Sequence, residues 1–352
     1  MVSRVIGCFL IVFLLFSCKM EERFFPGNIS KVKSVRDFYK VEFKTLLEDS
    51  LLNIRSIELD ENDLKGITSN GKIISMFLSD EGSIVELETL DPINSRSSAI
   101  QSGIFFHLSV GSPAKLYKDG MLVYQENHPK AFYDSMDFWN TLEGIAIGDP
   151  TEDCMSIIIT RDGGNTWTKL SCNDLPKAKE GEAAFAASDT NIAIIGDNTW
   201  VATGGMASRI LYSPDKGKNW NVFETPIIQG KETTGIFSID FYDELNGFAI
   251  GGDYTKPEDS QANKMITKDG GKTWELVAQN QEPGYRSCVQ YIPNGKGDEL
   301  VAVGFKGIDY SSDSGYSWRH LSDEGFYTIR FLNDSIAFAA GKGRISKLTF
   351  RE

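Results

Sequence analysis

Four stretches of this 352-residue chain repeat one pattern, Ser/Thr-x-Asp-x-Gly-x-x-Trp. They are Thr160-Arg-Asp162-Gly-Gly164-Asn-Thr-Trp167, Ser213-Pro-Asp215-Lys-Gly217-Lys-Asn-Trp220, Thr267-Lys-Asp269-Gly-Gly271-Lys-Thr-Trp274 and Ser311-Ser-Asp313-Ser-Gly315-Tyr-Ser-Trp318. The tryptophans fall 53, 54 and 44 residues apart. Self-similarity at such a period declares a repeat architecture, in which each unit buries its apolar face only against its neighbours.

The period matches one four-stranded propeller blade with loop insertions. Each box reads as a hairpin turn: the Asp takes N–H groups two and three residues on, and the Gly supplies a positive φ. The Trp then opens the next strand and is placed to wedge between neighbouring blades. Asp162, Trp167, Asp215, Trp220, Asp269, Trp274, Asp313 and Trp318 are therefore assigned to structure. The pattern resembles the Asp-box (BNR) repeat of β-propellers.

Two degenerate boxes precede the four, at Leu78-Ser-Asp80-Glu-Gly82-Ser-Ile-Val85 and at Lys118-Asp119-Gly120. A last unit opens at Gly325 and runs to Phe350. Aligning the starts of the first strands puts Arg55, Arg96, Asp134, Glu182, Phe237, Arg286 and Tyr327 at one position, each followed by a small residue. Seven occupants predict an all-β fold, a seven-bladed propeller of four-stranded antiparallel blades, with box turns between strands 3 and 4. The last unit is short of a strand, and Val41–Leu47 is expected to supply it and close the ring.

The first residues are read as an export signal. Arg4 precedes the apolar run Val5–Phe16, which is too short for a stable span. Leu15-Phe16-Ser17-Cys18 resembles a bacterial lipobox; the alternative is an ordinary signal peptide with an incidental Cys. The resemblance implies a signal peptide over 1–17, lipidation of Cys18, a tether over 18–31 and one propeller domain over 32–352. It also implies an extracytoplasmic product anchored by lipid to the outer membrane, periplasmic or surface-facing, since no Asp follows Cys18. Export permits a disulfide, and hairpin register sets Cys154 almost opposite Cys172. A bridge or two free thiols both fit, and Cys288 is left as a core residue.

From about residue 50 the chain resembles bacterial propellers of the photosystem II stability/assembly factor-like group, some of them labelled oxidoreductase. Gly181-Glu-Ala-Ala-Phe-Ala-Ala-Ser188, Gly251-Gly-Asp-Tyr254, Tyr285-Arg-Ser287 and Gly341-Lys-Gly-Arg-Ile345 carry that resemblance. It implies a binding or assembly scaffold with a protein or peptide client, and a monomer is expected.

Strand alternation gathers the seven aligned residues at one channel mouth, opposite the boxes, under the loops Asp149–Asp153, Gly204–Arg209 and Gly252–Asn263. Two readings stand for this ring. Arg55, Arg96 and Arg286 grip an anionic ligand, or they pair with Asp134 and Glu182 and seal the channel. Sialidases share such boxes and an arginine triad, so an acidic-sugar hydrolase using Tyr327 and Glu182 is the alternative function, although no Arg-Ile-Pro motif is present.

The remaining chemistry is excluded by pattern. His107, His128 and His320 are scattered and show no metal spacing, so no metal is expected. No Gly-x-Gly-x-x-Gly opens a helix, so no nicotinamide or flavin cofactor is expected. A net charge of −13 without a basic run speaks against nucleic acid.

Overall fold

The computed structural model describes residues 36–60, 63–79, 82–89 and 93–352. The signal segment, Cys18, the tether and Asp80 of the first degenerate box lie outside them. Every regular element among the described residues is a β-strand, paired antiparallel with its neighbours as propeller blades.

The strands join into six sheets, which corrects the expected seven blades to six. Four sheets have four strands, beginning at Ser95–Gln101, Tyr133–Phe138, Ile192–Ile195 and Cys288–Tyr291. The other two have six. One runs Thr328–Phe331, Ile336–Arg351, Lys40–Asp60, Asp63–Thr68, Lys72–Ser79, Gly82–Thr89. The reason for the lower count lies in Lys40–Asp60, one 21-residue strand that bulges between Glu48 and Asn53 and continues beyond. It pairs Val41 with Phe350 and Glu48 with Arg344, then continues to pair Ile57 with Gly66. Units that the sequence separates into first and last therefore share one hydrogen-bonded sheet.

The second six-stranded sheet corrects the fourth unit. Glu182–Ala183, expected to open an innermost strand, is a two-residue strand paired with Gly204–Gly205 and so joined to Thr234–Phe241. The innermost strand of its own unit is Ile192–Ile195. Between the two, the chain crosses the central channel.

The crossing segment is held by the inner strands around it. Asp189, in the left-handed region with φ of 60°, accepts hydrogen bonds from Ser56 Oγ, Ser98 N–H and Met136 N–H. Thr190 bonds the Ser238 hydroxyl at 2.7 Å, and Ser188 donates to the Ser287 carbonyl at 2.6 Å. Thr328 donates to the Ser188 carbonyl at 2.9 Å. Polar backbone in a core must find partners, and this segment finds them on strands from several sheets. It is a plug across the channel. The small side chains of Ala183, Ala184, Ala186 and Ala187 leave room for the backbone to pass.

The four boxes do join the last two strands of their sheets, as between Ser156–Thr160 and Thr168–Lys169. The Asp bonds reach one residue further than expected in all four boxes, and Asp215 also takes the expected N–H three residues on, from Lys218 at 3.1 Å. Asp Oδ1 accepts the N–H four residues on, from Thr166, Asn219, Thr273 and Ser317, at 2.8–2.9 Å. The leading Ser/Thr hydroxyl takes the box Gly N–H and donates to the Asp. The box Gly also presses on the preceding sheet. A Cβ on Gly271, whose φ is +81°, would stand 2.9 Å from the Trp200 ring, and one on Gly217 2.6 Å from Ile159. Trp167, Trp220, Trp274 and Trp318 each pack into a cluster built from two adjacent sheets. Cys154 and Cys172 form a disulfide around the first box, with Cα atoms 5.4 Å apart. Cys288 is a buried free thiol.

Candidate functional site

The inner strands all start at one channel mouth, and the plug gives that mouth a floor. The result is a cup of about 550 Å³. Its floor is Ala183 to Ala187, and its wall carries Arg55, Arg96, Phe237 and Tyr327 together with Phe132, Tyr254, Tyr285 and Phe305. The box turns sit at the other end of the inner strands: Gly163 and Gly270 donate to the carbonyls of Leu142 and Leu245, in the loops that follow those strands.

The rings form a connected aromatic wall. Phe185 and Phe237 stack with centroids 3.9 Å apart, and Tyr285 meets Phe237 edge-on at 4.8 Å. Tyr254 and Phe305 stand half-exposed at the rim. The Arg55 guanidinium lies 4.2 Å from the centroid of the Tyr327 ring, a cation–π contact that holds the charge over the cup. Its one protein hydrogen bond runs from Nη1 to the Ala187 carbonyl at 3.3 Å, and its Nε is buried without a partner. Burial, then the Arg55 charge beside it, lowers the pKa of Arg96 from the ordinary guanidinium value.

Two carboxyls adjoin the arginines. Burial pushes Asp149 up to about 6, against the Ala184 N–H that it accepts at 2.8 Å. Asp134 is fully buried beneath the wall, and both its oxygens lack a hydrogen-bond partner. Burial and the neighbouring Asp149 raise its pKa well above the ordinary aspartate value. Glu232 at the rim is the other acid of the lining.

The structure thus brings Arg55, Arg96, Phe237 and Tyr327 together, with Asp134 behind them. It does not bring Glu182 or Arg286 to the cup wall. Glu182 is buried against Arg209, whose Nε donates at 3.0 Å, and also takes the Thr203 hydroxyl and the Lys179 N–H. Arg286 donates from Nε to the buried Asp309 at 2.6 Å and from Nη1 to the Tyr285 carbonyl. Both belong to ion pairs inside the scaffold. Neither of the two readings of the ring describes it whole: buried pairs exist, but with Arg209 and Asp309 as partners, while Arg55 and Arg96 line the cup, Arg55 bonded to the Ala187 carbonyl and Arg96 to Asn94 Oδ1. Phe132, Phe185, Tyr254, Tyr285, Phe305 and Asp149 are the wall residues absent from the aligned ring. Asp149 and Tyr254 come from two of the loops expected to overhang the mouth, and the alanine-rich run was the available signal for Phe185, because small residues let backbone cross a crowded channel.

No protein-family model matches this chain, and no curated protein does. Its fold is similar to solved propellers. A structure of YCF48 bound to D1 peptide superposes with a TM-score of 0.63 at 14% identity, covering 90% of this chain and 99% of that one. The RRP9 WD40 repeats give a TM-score of 0.61 at 10% identity over 89% of this chain and 98% of theirs. YCF48 from Cyanidioschyzon merolae gives 0.60 at 12% identity over 88% and 99%. At these identities the likeness is one of fold: this chain is an all-β propeller.

Proposed function

We propose that this chain is a binding scaffold whose cup takes a segment of a polypeptide client, an aromatic or apolar stretch carrying a carboxylate. The observation that carries the reading is the pair Arg55 and Arg96 set in an aromatic wall, with the Arg55 Nε donor buried and unpartnered. Aromatic rings bury apolar side chains at low entropic cost, and a guanidinium supplies the directional grip on a carboxylate. The plug closes the cup below, so the ligand enters and leaves by one mouth. A structural neighbour, YCF48, is described with D1 peptide bound, which supports a peptide as the class of ligand.

The acidic-sugar hydrolase finds less support. Its Glu182 and Arg286 are committed to Arg209 and Asp309. The test is a fluorescence titration with short peptides that end in Phe, Tyr or Leu. Arg55→Met and Arg96→Met should each weaken binding about tenfold, the loss of one charge-assisted hydrogen bond. Phe237→Ala should do the same through lost burial. Affinity that stays unchanged in all three variants would remove the cup as the site.

The same proposal carries the scaffold on a lipid at Cys18, extracytoplasmic and membrane-tethered, supported by the apolar run before it. Cys18→Ala should abolish palmitate labelling and leave an uncleaved precursor; labelling that persists would rule the anchor out.

A further inference from the structure

Below the plug the channel holds a second cavity of about 200 Å³, separate from the cup. The inner strands that give Arg55, Phe237 and Tyr327 to the cup give Glu58, Asp240 and Arg330 to this one, three residues further along. Asp137 and the plug residue Asp189 complete its charged lining. Four carboxyls therefore face one guanidinium.

The hydrogen bonds of these groups are unevenly satisfied. Arg330 is committed, donating to Glu58 Oε1 at 3.0 Å, to the Thr328 hydroxyl at 2.8 Å and to the carbonyls of Ile329 and Asp189. Asp189 is tied by its three plug bonds, and Asp240 accepts the N–H groups of Phe241 and Tyr291. Asp137 accepts only from the adjacent Phe138 N–H, at 2.7 Å. Two residues before it, and so on the same side of the strand, Ser135 lines the same cavity. Its Oγ is buried and has no partner. A buried hydroxyl and a carboxylate with spare acceptors on one wall mark a place built for a donor.

No three carboxyl, His or Cys groups among the described residues converge in a way that could hold a metal. A cation with several N–H groups spread over a few ångströms suits acceptors that are spaced apart. We propose that this lower cavity binds an alkylguanidinium or alkylammonium head group, held by Asp137 and Ser135 with Asp240 and Glu58 beside them. That head group belongs to a free small molecule or to a basic side chain of a polypeptide.

Such binding is coupled to protons. Burial pushes Asp137 and Asp189 up to about 7 and Asp240 up to about 6, and it raises Glu58 as well. With Arg330 these are all the charged groups of the lining; the rest, from Ser98 on one side to Gln290 on the other, are uncharged. An entering cation favours the ionised carboxyls, so protons leave as it binds and affinity rises from about pH 6 to about pH 8.

Isothermal titration of the full chain with agmatine, and separately with acetyl-Gly-Arg-Gly-amide, tests this at both pH values and in buffers of differing ionisation heat. We expect saturable binding of at least one probe, about tenfold tighter at the higher pH, with a heat that tracks the buffer. Agmatine alone identifies a free ligand; binding of the peptide identifies a side chain. Asp137→Asn and Ser135→Ala, each checked for fold by circular dichroism, should each weaken binding about tenfold. Arg55→Met, on the far side of the plug, should leave it unchanged. The proposal is overturned if neither probe saturates at either pH, if binding survives both lower-cavity variants, or if calcium alone binds there.

Discussion

Arg55 and Arg286 align in sequence, yet the fold makes them opposites. Arg286 is buried, and its removal strands Asp309, itself buried and otherwise bonded only to the His320 ring. Arg286→Met should therefore destabilise the chain by about 3–5 kcal/mol in a denaturant melt. Arg55 offers the protein one long hydrogen bond and a contact with a ring. Arg55→Met keeps the packing of the stem and should change stability by less than about 1 kcal/mol. Equal melts for the two variants would mean that Arg55 belongs to the scaffold as much as Arg286 does. The alignment that grouped these arginines reads position along a strand. It cannot read the partner, which lies 23 positions away for Arg286–Asp309 and 27 for Arg209–Glu182.

At the scale of the element, the box works as a joint between neighbouring sheets. Trp200 of the preceding sheet donates from Nε1 to the Gly270 carbonyl of the box at 2.8 Å, and Trp274 packs edge-on against Phe241 of its own sheet at 6.0 Å. Trp274→Ala should cost about 3–5 kcal/mol, as loss of a large packed ring does. Asp269→Ala removes acceptors for the Thr273 N–H and hydroxyl in an exposed turn, so it should cost less, about 1–3 kcal/mol. Two silent melts would mean that the boxes do not join the sheets. These turns were legible in the sequence because their hydrogen bonds close within eight residues. The strand fusion was not. Nothing in Leu47-Glu-Asp-Ser-Leu-Leu-Asn53 marks continuity: the stretch bulges, and pairing with residues beyond position 335 resumes only at Asn53. The aromatic cup was half legible, since Phe237 and Tyr327 follow the repeat while Phe132 and Phe305 come from loops between strands.

For the whole molecule the plug is the decisive feature, since it divides one channel into two unlike chambers. Asp189→Ala would strand the N–H groups of Ser98 and Met136 and release the Ser56 hydroxyl. It should cost about 3 kcal/mol and weaken ligands of both chambers together. Loss confined to one chamber would show that the chambers stand independently of the plug.

The first sheet carries a further consequence, and it concerns time. Glu42 and Arg351 share an ion pair across strands, yet they stand 309 positions apart. At the pace of synthesis, roughly 5–20 residues per second, the first strand waits about a quarter of a minute to a minute for its partner. Through that interval its edge is open and Phe38 and Val41, buried in the finished ring, face water. A chaperone acting on this nascent chain has a long opportunity at the strand that carries Val41.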